Sequence, residues 1–91
     1  MILGKVTGTV VSTQKHRKLE GAKLLLVQPL ALDSAPRGGE MMAVDAVGAG
    51  VGETVLIVLE GRSAGEAIGR KAAPVDAAII GIVDAIDLPP L

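Results

Sequence analysis

Residues 2–13 alternate, with Ile2, Gly4, Val6, Gly8 and Val10 on one parity and Lys5, Thr7, Thr9 and Thr13 on the other. A period of two predicts a strand with one buried face. Glycine at every fourth position of that face suits a strand that bends sharply, as at a barrel corner. A polar connection over residues 14–21 leads to a second apolar run, residues 23–28, which Pro29 either ends or marks as an edge. Residues 33–39, Asp-Ser-Ala-Pro-Arg-Gly-Gly, carry the residue types of a surface loop. Residues 41–47 and 54–60 predict strands three and four, joined by a turn containing Gly48, Gly50 and Gly52. Residues 61–69 form the one helical pattern. Ser63 and Glu66 have the spacing of a capping box, and Gly69 is placed to stop the helix after about two turns. After Pro74, residues 75–86 predict a long fifth strand, with Ile80, Ile82 and Ile86 on one side and Val75, Ile79 and Val83 on the other.

Five strands with one short helix between the fourth and fifth do not alternate as a βαβ fold would. They predict a single all-β domain over residues 1–91: a small, partly open, OB-like Greek-key barrel. Strands two, four and five are apolar on both faces, whereas a lone barrel would wet one face of each. Burying both faces calls for a neighbour, so a tight homo-oligomer is expected.

Composition sharpens that expectation. The chain has 91 residues, 49% of them hydrophobic, with no Phe, Tyr or Trp. An aliphatic core must therefore supply all the buried area in a domain small enough to be marginal alone. The formal net charge is −1 with mixed signs, and there is no cysteine. No polybasic footprint, disulfide framework or thiolate site is on offer. Neither a secretory leader nor a run approaching the ~20 apolar residues of a membrane helix is present, so a cytoplasmic protein without a membrane partner is expected.

The glycine turn is the one segment that resembles a ligand motif. Gly48-Ala-Gly50 could open a phosphate-binding fingerprint, but that motif needs a helix after the glycines, and residues 54–59 are a β-branched run. The third fingerprint glycine would fall at Glu53, a carboxylate that repels phosphate, and no Gly-Lys-Ser/Thr follows. Calorimetry with common nucleotides would settle an enzyme reading of this turn. A hydrolytic triad lacks a base, because His16 sits within the basic loop Lys15-His-Arg-Lys18 and Ser63 is explained as a helix cap. Asp76 and Asp84 share parity, but eight residues of strand separate them by about 26 Å, too far for a carboxylate pair. One histidine and scattered acids have no metal-ligand spacing. No catalytic, cofactor or metal site is expected. Residues 15–18 leave one further reading open, an OB-type module contacting nucleic acid or another anion through that loop. The missing aromatics weigh against it, since base stacking is worth about 1–3 kcal/mol per base.

Four blocks taken together resemble a known family: Gly4-Lys-Val-Thr-Gly-Thr-Val-Val-Ser-Thr-Gln14, Lys23-Leu-Leu-Leu-Val-Gln28, Asp45-Ala-Val-Gly-Ala-Gly-Val-Gly-Glu53 and Pro74-Val-Asp-Ala-Ala-Ile-Ile-Gly-Ile-Val-Asp84. They are similar to the vertex proteins of bacterial microcompartments, found in carboxysomes and in ethanolamine- and propanediol-utilisation organelles. The resemblance implies an OB-like barrel that forms homopentamers, closes the vertices of a shell tiled by hexameric shell proteins, and leaves a narrow axial opening. It implies a structural protein, located in the cytoplasm within the microcompartment shell. Residues 48–53, namely Gly48, Ala49, Gly50, Val51, Gly52 and Glu53, are the expected subunit contact or axial segment. The family usually reads Gly-Ser-Ser-Ala-Arg where this chain has Gly61-Arg-Ser-Ala-Gly65. The resemblance therefore carries no arginine-mediated subunit pairing to Gly65.

Overall fold

The computed structural model describes residues 1–11, 23–59 and 77–88. Five strands follow in order: β1 (Ile2–Val10), β2 (Lys23–Leu30), β3 (Met41–Asp45), β4 (Thr54–Val58) and β5 (Ala78–Ile82). They close into a barrel with the order β1-β2-β3-β5-β4. All neighbours are antiparallel except β3 and β5, which run parallel. The barrel is therefore closed where the sequence predicts a partly open one. The short parallel contact of Val44 and Asp45 with Ala78 and Ile79 joins what would otherwise be two edges. The helix expected over residues 61–69, with its cap residues Ser63 and Glu66, lies outside the described residues, as does the basic loop Lys15, His16, Arg17 and Lys18.

The interior is built from branched aliphatic side chains and alanine. Val6, Leu25, Val27, Val55, Ile57 and Ile79 are the largest fully buried side chains, with Ala43, Ala49 and Ala77 among them. Fully burying a Val, Leu or Ile is worth about 1.5–3 kcal/mol. Without aromatics, shape matching between these small blocks has to fill the barrel. Gly4 shows how tight the fit is: a Cβ there would stand 2.7 Å from Ile57 Cδ1 and 3.3 Å from the Gln28 carbonyl oxygen.

Two register shifts correct the simple alternation. On β1, Val6 pairs with Val27 but Gly8 pairs with Leu26, which leaves Thr7 as an extra residue. A bulge moves every later side chain to the other face. Gly8 and Val10 thus lie opposite Leu26 and Leu24 on the outer face rather than sharing the inner face with Val6. On β5, Ile79 pairs with Ile57 and Gly81 with Leu56, so Ile80 is the extra residue. Ile82 then stands opposite the buried Val55, on the same side as Ile79, where strict alternation separates the two.

Strand ends also differ from the pattern. β1 stops at Val10 rather than residue 13, β3 at Asp45 rather than 47, and β4 at Val58 rather than 60. β5 ends at Ile82, and residues 83–88 leave the ladder. Pro29 does not terminate β2, which runs one residue further to Leu30. Pro29 pairs with Gly4 beyond the last β3 partner of β2, Met41, and on the side β3 has left its carbonyl accepts from the Arg37 amide at 2.9 Å, so the missing N–H costs no bond to β3.

Candidate functional site

The turn between β3 and β4 is assembled by side chains that bind its backbone. Asp45, the last residue of β3, accepts hydrogen bonds from the amides of Val47 at 3.0 Å and Gly48 at 3.1 Å. A short carboxylate closing on the backbone two and three residues ahead is the mechanism by which aspartate initiates turns. The Glu53 carboxylate accepts from the Gly50 amide at 2.6 Å, and the Glu53 amide donates back to the Gly50 carbonyl at 3.1 Å. Lys23, at the start of β2, donates its ammonium to the Ala49 carbonyl at 2.7 Å and lies 3.9 Å from the Asp45 carboxylate. Hydrogen bonds of this kind, with one partner ionised, contribute about 1.5–3 kcal/mol.

The turn is also sewn to β1. The Gly52 amide donates to the Val6 carbonyl at 2.8 Å, and the Val6 amide donates to the Glu53 carbonyl at 3.0 Å. Both bonds fall immediately before the Thr7 bulge, past which β1 continues to pair with β2 in a shifted register. Ala49 inserts its methyl into the barrel and is fully buried with the core. Gly48 and Gly52 have φ of +80° and +93°, a region in which L side chains are strained. Among the described residues, and leaving aside the adjacent ones, no atom lies within 4 Å of a Cβ built at either position. Within one chain these two glycines are explained by backbone conformation. Gly50 is different: its φ is not positive, and a Cβ there would meet only Glu53 Oε1, at an ordinary 3.4 Å.

This arrangement cannot cradle a phosphate. The amides of Val47, Gly48, Gly50, Gly52 and Glu53 already donate within the chain. The carboxylates of Asp45 and Glu53 occupy the positions an anion would take, and would repel one. Elsewhere, Asp84 and Asp87 are exposed, and Asp76 lies outside the described residues, as do Ser12, Ser63 and His16. A surface depression of about 280 Å³ brings Asp33, Ser34, Thr54 and Asp84 together beneath Leu32 and Leu88. Asp33 there is engaged with the Ala35 amide at 3.0 Å. Among the described residues no three histidine, cysteine or carboxylate side chains converge as a metal site, and no helix is long and apolar enough to cross a membrane.

All six residues expected at the turn, Gly48, Ala49, Gly50, Val51, Gly52 and Glu53, thus fall in one compact segment, although their tasks differ. Sequence reasoning missed Lys23 and Asp45 as its anchors. Asp45 was findable, because an aspartate two residues before a Val-Gly step is a turn signal. Lys23 carried no such signal, because the β2–β3 pairing alone brings it opposite Asp45. The outer barrel face holds Leu24, Leu26, Leu30, Leu56 and Val58 half-buried, with Met42 more than half exposed. Leu24, Leu26, Leu30, Leu56 and Val58 are the apolar second face anticipated for β2 and β4; Met42 adds to it from β3.

A family model described as ethanolamine utilisation protein EutN/carboxysome matches residues 1–84. The bacterial microcompartment shell vertex protein GrpN of Rhodospirillum rubrum (strain F11) is 48% identical over 87 residues, covering 96% of this chain and 97% of that protein. The shell vertex protein PduN of Salmonella typhimurium is 47% identical over 90 residues, covering 94% and 98%. Among solved structures, the GrpN pentameric microcompartment shell protein from Rhodospirillum rubrum superimposes with a TM-score of 0.88 at 45% identity, covering 98% of this chain and all of the other.

Proposed function

Since this chain belongs to the EutN/carboxysome family of microcompartment shell vertex proteins, we propose that it is a structural protein that forms a ring of five and closes the vertices of a polyhedral shell. The observation that carries this reading is full-length similarity to proteins named for that role, one of them described as pentameric. The task is geometric. A flat sheet of hexagonal tiles cannot close on itself, and five-fold units placed among them supply the curvature. A closed barrel suits such a corner piece, because a rigid subunit fixes the angle between its neighbours. Hexameric shell proteins are the partners that the ring edge would meet, and the ring would leave a narrow opening on its axis.

A ring of five is heterologous: each subunit offers one surface to the previous copy and a different one to the next. The half-buried outer leucines of β2 and β4 are suited to one of these surfaces. The turn at residues 48–53 supplies the other, at the subunit contact or beside the five-fold axis. Gly50 supports this placement, because nothing among the described residues requires a glycine there. Native mass spectrometry tests the assembly, with a mass of five chains expected and a lone chain at micromolar concentration counting against it. Gly50→Val tests the turn: it should leave the barrel folded and weaken the ring. A Gly50→Val protein that stays pentameric with unchanged thermal stability would remove the turn from the contact. No finding favours contact with nucleic acid through residues 15–18.

A further inference from the structure

Every charged side chain at the turn points into it. Lys23, Asp45 and Glu53 together take up the amides of Val47, Gly48 and Gly50 and the carbonyl of Ala49. The side chains left facing solvent are apolar: Val47 is 41% and Val51 63% exposed, beside the exposed Ala46, Gly48 and Gly52. Asp45 holds the backbone as an aspartate in a turn ordinarily does. What sets this turn apart is that Lys23 and Glu53 are used in the same way, while the side chains displayed to solvent are valines.

We propose that Lys23, Asp45 and Glu53 are positioning residues that fix this turn in the lone chain, so that Val47 and Val51 form a preorganised apolar knob that seats on a second copy. The proposal rests on the reading above that the turn lies at a subunit contact, and it adds the means by which that contact gains affinity. A convex, rigid knob is one half of a heterologous interface, and ordering it before association removes an entropic cost that each of five contacts would otherwise carry. The anchors come from three separate places, the start of β2, the end of β3 and the lead into β4, with β1 adding the Val6 bonds. Closure of the barrel therefore sets the knob.

The test compares Val51→Asp, Glu53→Ala, Glu53→Gln and Lys23→Met by sedimentation over a dilution series, with hydrogen exchange at the Gly50 amide and circular dichroism of the barrel. Glu53→Ala and Lys23→Met should keep the strand spectrum and raise the concentration at which the ring dissociates by about tenfold, the effect of having to order the turn on association rather than before it. Glu53→Ala should also speed exchange at Gly50. Glu53→Gln retains an acceptor oxygen and should assemble nearly as the parent does. If Glu53→Ala and Lys23→Met assemble normally while Val51→Asp dissociates, the positioning role is wrong and the contact stands. If Val51→Asp also assembles normally, the contact reading fails, and this proposal with it. If Glu53→Ala and Lys23→Met lose the barrel itself, the three side chains serve the fold rather than the knob, and the proposal is overturned.

Discussion

At the scale of single residues, glycines in this chain are required for two different reasons. Gly4 is required by space, because the Ile57 methyl and the Gln28 carbonyl already fill the position a Cβ would take. Ile57 is fully buried and has little room to retreat. Gly4→Ala should therefore lower stability by about 1–3 kcal/mol, as overpacking does, read as a fall in the thermal midpoint. Gly52 is required by conformation, with open space around it and φ at +93°. Gly52→Ala should cost about 1–2 kcal/mol through backbone strain alone. Because Gly52 also binds the Val6 carbonyl, hydrogen exchange should report the strain first at that amide. The two effects have different remedies. Trimming Ile57 to Val should partly rescue Gly4→Ala and leave Gly52→Ala untouched.

At the scale of elements, the bulge at Thr7 has the widest influence. It turns the end of β1 so that Gly8 and Val10 face outward, and it comes just after Val6 receives the turn. Deleting Thr7 should let Gly8 follow Val6 in a regular ladder, keep Gly8 and Val10 on the outer face, and straighten the strand beside the Val6–Gly52 bond. The expected outcome is faster hydrogen exchange at the Gly52 amide with the strand spectrum retained, checked by hydrogen exchange and circular dichroism. The strands themselves were legible because their apolar residues follow a period of two and end in turn residues. All five appear within a few residues of where the pattern puts them. The two extra residues were not legible, because Thr7 and Ile80 are unremarkable in strands and only cross-strand pairing shows that each lacks a partner. Closure was hidden for the same reason, since it depends on two parallel pairs between residues more than thirty apart in sequence. The turn residues were legible as a group through their glycines. Lys23 was not, because its place beside Asp45 is a product of register.

At the scale of the whole molecule, a barrel packed only with aliphatic side chains and small enough to be marginal alone gains stability by assembling. If the ring forms as proposed, its thermal midpoint should rise with protein concentration, because association draws folded chains from the unfolding equilibrium. Calorimetry across a hundredfold concentration range checks this, and a midpoint independent of concentration would count against a dissociable ring. The closed strand order has another result. Each of the five strands already has two neighbours, so the barrel offers little free strand edge on which another copy could grow a continuous sheet. Sheet extension has no natural stopping number and tends toward fibres, whereas contacts between shaped side-chain surfaces end when the circle is complete. A component needed in a fixed, small number at each corner is well served by a fold that withholds its backbone from its neighbours, leaving the count to the angle at which side chains meet.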